Sequence, residues 1–260
     1  MNSKQEKLKA IERVLDIMDT LREECPWDKK QTFESLRHLT IEETYELGEA
    51  ILSGDRTQIK KELGDLLLHI VFYSKLGSEE NAFDISDVAN EISDKLIFRH
   101  PHIYGELKVK DEKEVKKNWE LLKLKEENKT VLSGVPKGLP SIVKAQRIQE
   151  KASGVGFDWK SIEKVWEKVQ EEMIELQTEV EKKDIKKIEN EFGDLLFSLI
   201  NYARILKISP DTSLERTNQK FINRFNYIEQ KAKEMGVKLN EMSLSQMESL
   251  WTEAKSKLLI

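Results

Sequence analysis

Cysteine is almost missing from this chain: Cys25 is its one thiol. That excludes an intrachain disulfide framework, and a lone thiol beside Pro26 has none of the paired spacing of a metal site. Proline and glycine are also scarce, 5 and 11 in 260 residues, so the frequent tight turns of a sandwich or barrel are lacking and long helices are favoured. There is no surplus of positive charge. With 43 Lys and Arg against 48 Asp and Glu the net charge is −5, which argues against a general phosphate-backbone binder, so no nucleic-acid partner is expected. No apolar run is long enough to span a bilayer. The opening MNSKQEKLKAIERVL alternates charged and apolar residues where a signal peptide needs an uncharged core, so a cytoplasmic protein is expected. None of the four histidines follows a glutamate by three residues, the pattern of ferritin-like di-iron bundles. VPKG at 135–138 has too few glycines, and no following Lys-Ser/Thr, for a P-loop.

What the chain does have is charge, 35% of its residues, laid out in helical rhythm. Residues 4–24 place Leu8, Ile11, Val14, Leu15, Met18 and Leu21 on one face, and Cys25-Pro26 stops the helix. Asp28 or Thr32 is expected to cap a helix from Phe33 to Ile51 that carries Glu42, Glu43 and Glu46. Ser53-Gly54-Asp55 is a turn signal, followed by a helix from Thr57 to Leu76 with Glu62, Gly64 and Asp65 ahead of the apolar LLLHIVFY. In the second half helices are predicted over 161–180, 185–206 and 214–235, with a last one from Ser243. The fold class is all-α.

The two halves repeat. Glu171, Glu175, Glu191 and Asp194 each lie 129 residues beyond Glu42, Glu46, Glu62 and Asp65 (171 − 42, and likewise for the rest), so the chain holds two copies of one helical hairpin. Lys220 and Arg224 answer Lys95 and Arg99, and Trp251 and Lys255 answer Trp119 and Lys123, at slightly different offsets. A first unit is drawn at 1–107 and a second at 151–260. Between them, 108–150 is drawn as a connection: a charged helix predicted from Glu106 to Lys129, then the Gly/Pro-rich VLSGVPKGLPSI.

Glu171, Glu172 and Glu175 fall within about 100° of one helical face, and Glu191 and Asp194 sit one turn apart on the next helix. Lys183 marks the break between the helices. Glu175 lies eight residues before it and Glu191 eight after, roughly 12 Å along each helix, so the carboxylates are expected at one level. A single Glu-x-x-Glu in so charged a chain is ordinary surface solvation. Two facing pairs beside the apolar LLFSLINYARIL repel unless something positive lies between them, and Mg²⁺, a hard ion that prefers carboxylate and phosphate oxygens, is the natural occupant. Gly193 inside that helix is expected to mark close approach of a neighbouring backbone or a ligand. His69 within LLLHIVFY is expected to be a satisfied core histidine.

Lys168 and Lys187 each lie one turn before an acidic residue of the second copy, where the first copy has Leu39 and Gln58. They make either plain helix-surface ion pairs or phosphate contacts. Lys220 and Arg224, one turn apart, can grip phosphate oxygens, and Trp251 with Lys255 offers a flat face beside a cation, unless the tryptophan is simply core.

On CPWDKKQT at 25–32, EETYE with ELGD, GVPKGLPSIVKAQRIQEKASGVGFDW, EEMIE with EFGD, and KFINRF, the sequence resembles the MazG nucleoside triphosphate pyrophosphohydrolases along nearly its whole length. Phe33 departs from the histidine expected after CPWDxxQT. The resemblance implies an all-helical homodimer that converts nucleoside triphosphates to monophosphate and pyrophosphate with Mg²⁺. It makes Glu172, Glu175, Glu191 and Asp194 the metal ligands and Glu171, beside Glu172, the water-activating base. Lys168, Lys187, Lys220, Arg224 and Trp251 become substrate contacts, with Lys255 a further candidate. It also implies that the second copy is the active one, although Glu43, Glu46, Glu62 and Asp65 leave a second metal site open. The apolar LLLHIVFYSKL and LLFSLINYARIL predict that hairpins pair into four-helix bundles, between chains or within one. Two alternatives stand beside this: a base-specific pyrophosphohydrolase of dUTP, dCTP or phosphoribosyl-ATP, and a non-enzymatic helical interaction module.

Overall fold

The computed structural model describes residues 1–111, 114–115, 118–119, 122, 130–159 and 161–257. They hold helices and no strand, and no helix among them is long and apolar enough to cross a membrane. The chain forms two compact units, Met1–Lys110 and Asp111–Ile260.

In the first unit, α1 (Lys4–Glu24) opens on a capping box in which the Glu6 N–H donates to Ser3 Oγ and the Ser3 N–H to Glu6 Oε2. It ends at Cys25, because a residue ahead of proline is pushed out of the helical region. After a short 3₁₀ turn at Asp28–Lys30, Thr32 caps α2 (Phe33–Ser53). Gly54 adopts φ 74°, and Asp55 caps α3 (Arg56–Glu79) by accepting from the Thr57 and Gln58 N–H groups at 2.8 and 3.2 Å. Met18, Leu36, Val71, Phe72 and Leu76 form the core between these helices. Phe33, the departure from the family motif, has a packing role here: its ring stacks on Tyr73 at 5.7 Å and 6°. Where α3 ends, a Cβ on Gly77 would stand 2.8 Å from the Phe83 carbonyl oxygen, so only glycine lets the chain fold back into α4 (Ile85–Arg99). A four-residue α5 (Pro101–Tyr104) follows.

The second unit repeats the hairpin down to its turn. Ser161 caps α7 (Ile162–Lys182), Lys183 takes the left-handed conformation at φ 59°, and Asp184 caps α8 (Ile185–Ile205). Each of these three is the counterpart, 129 residues on, of Thr32, Gly54 and Asp55 (161 − 32, 183 − 54, 184 − 55). Pro210 at the first turn of α9 (Pro210–Glu234) sets the helix start four residues earlier than predicted, since proline's missing N–H is no loss there. Beyond a 3₁₀ turn at Leu239–Glu241, α10 (Leu244–Lys257) packs along α9.

Two expectations about the connection change. Glu106–Lys110 is not helical; residues 114, 115, 118, 119 and 122 are, and the rest of the helix predicted to Lys129, Lys123 included, lies outside the described residues. The stretch drawn as linker to residue 150 contains the start of α6 (Ser141–Gly154), which packs on α8 and α9 and belongs to the second unit. Its place against α8 is that of α1 against α3. The Gly and Pro residues before it supply the loop, and Pro140 sets its edge.

Arg204 at the end of α8 anchors the GFDW segment: its Nη2 and Nη1 donate to Asp158 Oδ1 and Oδ2 at 2.6 and 2.9 Å, and Ser153 Oγ adds a third bond to Oδ2 at 2.6 Å. Burial alone would raise the Asp158 carboxyl, but these bonds outweigh it and hold its pKa below the ordinary 3.8. A carboxylate depressed by folding adds stability above its unfolded pKa and loses it as pH falls through the folded value. Asp158→Asn is therefore expected to cost about 1–3 kcal/mol in urea unfolding at pH 7. That gap should close as the pH is taken below 3.8.

Candidate metal centre and substrate cleft

The α7–α8 hairpin brings Glu172 and Glu175 of α7 against Glu191 of α8, with one carboxylate oxygen of each within 4.8 Å of the others. The two-residue turn dictates this, because residues equidistant from it on antiparallel helices meet. Asp194, exposed and one turn further along α8, falls outside that spacing. The structure thus converges three of the four expected carboxylates. Octahedral coordination at about 2.1 Å needs ligand oxygens about 3.0–4.2 Å apart, so the trio suits a hard divalent cation. Its electrostatics point the same way: desolvation, then the charges of Glu172, Glu171 and Glu191, push the Glu175 carboxyl up against the opposing pull of Lys168.

Glu172 is the buried member, 6% exposed. Lys168, one turn earlier, extends its Nζ to 2.8 Å from Glu172 Oε1 and 2.8 Å from Glu171 Oε1. Those bonds to Glu171 and Glu172 hold the Lys168 ammonium well above the usual lysine range. Glu171, the candidate base, stays exposed at the rim. Lys187 behaves differently from expectation: its Nζ sits 3.9 Å from Asp184 and 4.0 Å from Glu179, towards the turn. The i−4 spacing to Glu191 is outcompeted by half-buried Glu179 across the hairpin.

The remaining candidates gather elsewhere in this unit. The Arg224 guanidinium lies 5.4 Å over the Trp251 ring, whose other neighbour is Phe221 at 5.0 Å. Lys220 is half-buried on α9 one turn before Arg224, and Lys255 is exposed on α10. Trp251 is only partly buried, so it is a platform that carries a cation rather than sealed core. Among the described residues, nothing beyond their chain neighbours and their own helix backbone comes within 4 Å of where a Cβ of Gly193 or Gly64 would be. The expected close approach of a neighbouring backbone of this chain is therefore not what places glycine there.

The first unit builds the cluster with the roles exchanged. Glu43, Glu46 and Glu62 converge within 4.8 Å, but the buried member is Glu62 of α3, 4% exposed. Asp65, like Asp194, falls outside that spacing. Its cation is Lys61, 3.0 Å from Glu62 Oε1 and 3.8 Å from Asp65, while Glu62 Oε2 is buried without a hydrogen-bond partner. Burial first, then Asp65, Glu46 and Glu62, push the Glu43 carboxyl up. The sequence argument that this copy lacks a lysine missed Lys61, because a residue adjacent to Glu62 does not share its helical face and reaches it only through a long, flexible side chain. His69 is buried, with Nδ1 2.9 Å from Thr40 Oγ1, and burial lowers its pKa, as suits a core histidine.

Tandem acidic hairpins, each converging three carboxylates beside a lysine, define an all-α protein of repeated carboxylate sites. The profile of the MazG nucleotide pyrophosphohydrolase domain matches the chain at residues 31–104 and again at 160–228. The nucleoside triphosphate pyrophosphohydrolase/pyrophosphatase MazG of Thermotoga maritima is 42% identical over 250 residues, covering 94% of this chain and 95% of that one. The nucleoside triphosphate pyrophosphohydrolase of Escherichia coli K12 is 38% identical over 257 residues, 95% and 98% of the two chains. YabN of Bacillus subtilis is 49% identical over 235 residues, 89% of this chain but 48% of that longer protein. The chain belongs to the MazG family of nucleotide pyrophosphohydrolases and is a hydrolase, so the reading of its repeats as a mere interaction module lapses.

Since Lys168 is the near cation of buried Glu172, Lys168→Met is expected to destabilise the protein by about 1–3 kcal/mol in metal-free buffer. Chemical denaturation in EDTA measures it, with Lys164→Met as the control. Lys164 pairs with Glu167 on the open surface, where such a bridge contributes about 0–1 kcal/mol.

Proposed function

We propose that the chain hydrolyses nucleoside triphosphates to monophosphate and pyrophosphate at the second-unit cluster, with Mg²⁺ as cofactor. The observation that carries this is the convergence of Glu172, Glu175 and Glu191 beside Lys168, in a chain whose full-length relatives are named for that activity. Glu172, Glu175 and Glu191 would hold the ion, with the exposed Asp194 one turn further along α8 as the fourth ligand. Mg²⁺ there would supply Lewis acidity to the phosphoryl oxygens and neutralise part of the triphosphate's charge.

The chain's own groups do the rest. Glu171, at the rim, takes the proton of the water that attacks the α-phosphorus. Its bond to Lys168 keeps it oriented until substrate phosphate claims the ammonium. Lys220 and Arg224 neutralise the remaining phosphate charge, with Lys187 once it leaves Asp184 and Glu179, and Arg224 over Trp251 forms a flat cationic platform, with Lys255 further along α10. The work is cytoplasmic clearance of the nucleotide pool, and the first unit is structural.

Hydrolysis in ¹⁸O-water should place the label in the monophosphate; label in orthophosphate with a diphosphate co-product would reject the reading. Glu172→Gln and Asp194→Asn are each expected to lower kcat by about 100-fold or more, since a displaced ion loses the alignment of water and phosphorus. Glu43→Gln and Asp65→Asn should leave most of the activity. Equal losses in both units, with folding intact, would overturn the assignment.

We also propose a homodimer in which hairpins pair into four-helix bundles. Met173, Ile174, Phe192, Leu196 and Leu199 of α7 and α8 are exposed, as are Leu63, Leu68 and Ile70 of α3, more apolar surface than one helical layer leaves to water. The open space above Gly64 and Gly193 gives a second copy room to approach. Light scattering at micromolar concentration should give twice the 30.3 kDa chain mass; a monomer rejects the dimer.

A further inference from the structure

Residues four apart on a helix are neighbours, so Lys187 of α8 is within reach of Glu191. It does not pair with it. Its Nζ stands instead 3.9 Å from Asp184 Oδ2 and 4.0 Å from Glu179 Oε2. Asp184 is there as the cap of α8, its Oδ1 accepting from the Lys187 N–H at 3.3 Å, and the first unit has the same cap in Asp55. Glu179 is the part that differs. It faces Lys187 across the α7–α8 hairpin with its side chain only 12% exposed. Its Oε1 accepts from Lys182 Nζ at 2.6 Å, while Oε2 is buried without a hydrogen-bond partner. A carboxylate oxygen so placed is costly until a donor reaches it, so it draws the mobile ammonium of Lys187 towards the turn.

The first unit shows the arrangement without it. Ala50 and Gln58 stand there in place of Glu179 and Lys187 (179 − 129, 187 − 129). Its lysine, Lys61, lies on the counterparts of Glu191 and Asp194, 3.0 Å from Glu62 Oε1 and 3.8 Å from Asp65 Oδ2. In the second unit Asn190 replaces that lysine (190 − 129 = 61), and among the described residues neither Glu191 nor Asp194 is in an ion pair. A divalent ion entering from the α8 side then has no ammonium to displace. We propose that Glu179 is a positioning residue that holds Lys187 off Glu191 and so keeps the α8 side of the carboxylate cluster open to a cation. The proposal rests on the metal part of the reading above. It also leaves Lys187 loosely held, short of a hydrogen bond to either carboxylate, so that phosphate can claim it.

Mn²⁺ binding to the full chain without nucleotide, followed by the electron paramagnetic resonance of the free ion in low-salt buffer, tests this through a double-mutant cycle. Glu179→Ala lets Lys187 fall on Glu191 and is expected to weaken Mn²⁺ binding at the second-unit cluster about two- to fivefold, the range of one ion pair. Lys187→Gln should recover that loss in the Glu179→Ala background, yet change binding by less than about 1.5-fold in the wild type. Lost charge alone would make the lysine substitution act equally in both backgrounds. Equal gains therefore overturn the proposal, and so does a Glu179→Ala protein that binds Mn²⁺ like the wild type. Glu179→Gln keeps the side chain's volume and removes its charge, and it carries the same cycle should the alanine variant not fold. Glu175→Gln marks which Mn²⁺ belongs to this cluster; if it changes nothing, the cluster holds no ion, and the proposal and the Mg²⁺ reading fall together. A coupled cycle in a protein that releases no pyrophosphate from any triphosphate upholds Glu179 and overturns the activity instead.

Discussion

Like charges crowded at the middle of a helical hairpin are the constraint on which the rest depends. Three carboxylates within 4.8 Å of one another cannot all stay ionised without a positive partner. Burial first, and that repulsion after it, push the Glu43 and Glu175 carboxyls up. Each unit offsets it with one lysine and with a core that leaves the hairpin no other register. The caps at Thr32, Asp55, Ser161 and Asp184 and the left-handed turns at Gly54 and Lys183 fix where each helix begins and ends. A slip of one residue would rotate the glutamates off the shared face. Packing thus enforces a cluster that electrostatics opposes, an imbalance typical of sites built to receive a ligand.

Much of this is legible in the sequence, because it follows from period and spacing. The apolar rhythm, the caps and the 129-residue offset mark the helices, the hairpins and the repeat, and equal distance from Lys183 puts Glu175 opposite Glu191. What spacing cannot supply is competition between partners. Lys187 has Glu191 one turn away yet turns to Glu179 and Asp184. Lys61 is on the wrong side of its helix by simple projection and still reaches Glu62. Nor does spacing tell which carboxylate is sealed: Glu62 on the second helix of one hairpin, Glu172 on the first helix of the other. That depends on which neighbouring helix covers the hairpin.

The covering helix α6 is what spacing conceals most. α6 reads as polar, RIQEK amid Gly- and Pro-rich loops, and its apolar residues are too few to announce a packed element. Only the structure shows that it fills against α8 the place α1 takes against α3, and that it buries Gln149, whose Nε2 donates to the Phe197 carbonyl. Polar residues in core positions break the binary pattern that sequence reading relies on, so such a residue is invisible in advance and informative afterwards.

These differences set apart two units that carry the same acidic motif. In the first, Lys61 clasps the buried Glu62 and Asp65 from the same helix, where it competes with any incoming cation for their oxygens. The position of Lys168 is held there by Leu39, which packs against the hydrophobic core. In the second, Lys168 is shared between the buried Glu172 and Glu171 at the rim, 2.8 Å from each, and it also lines the cavity walled by Phe157, Trp159 and Phe197. One lysine is held within its own cluster, and the other spans from the buried carboxylate to the rim.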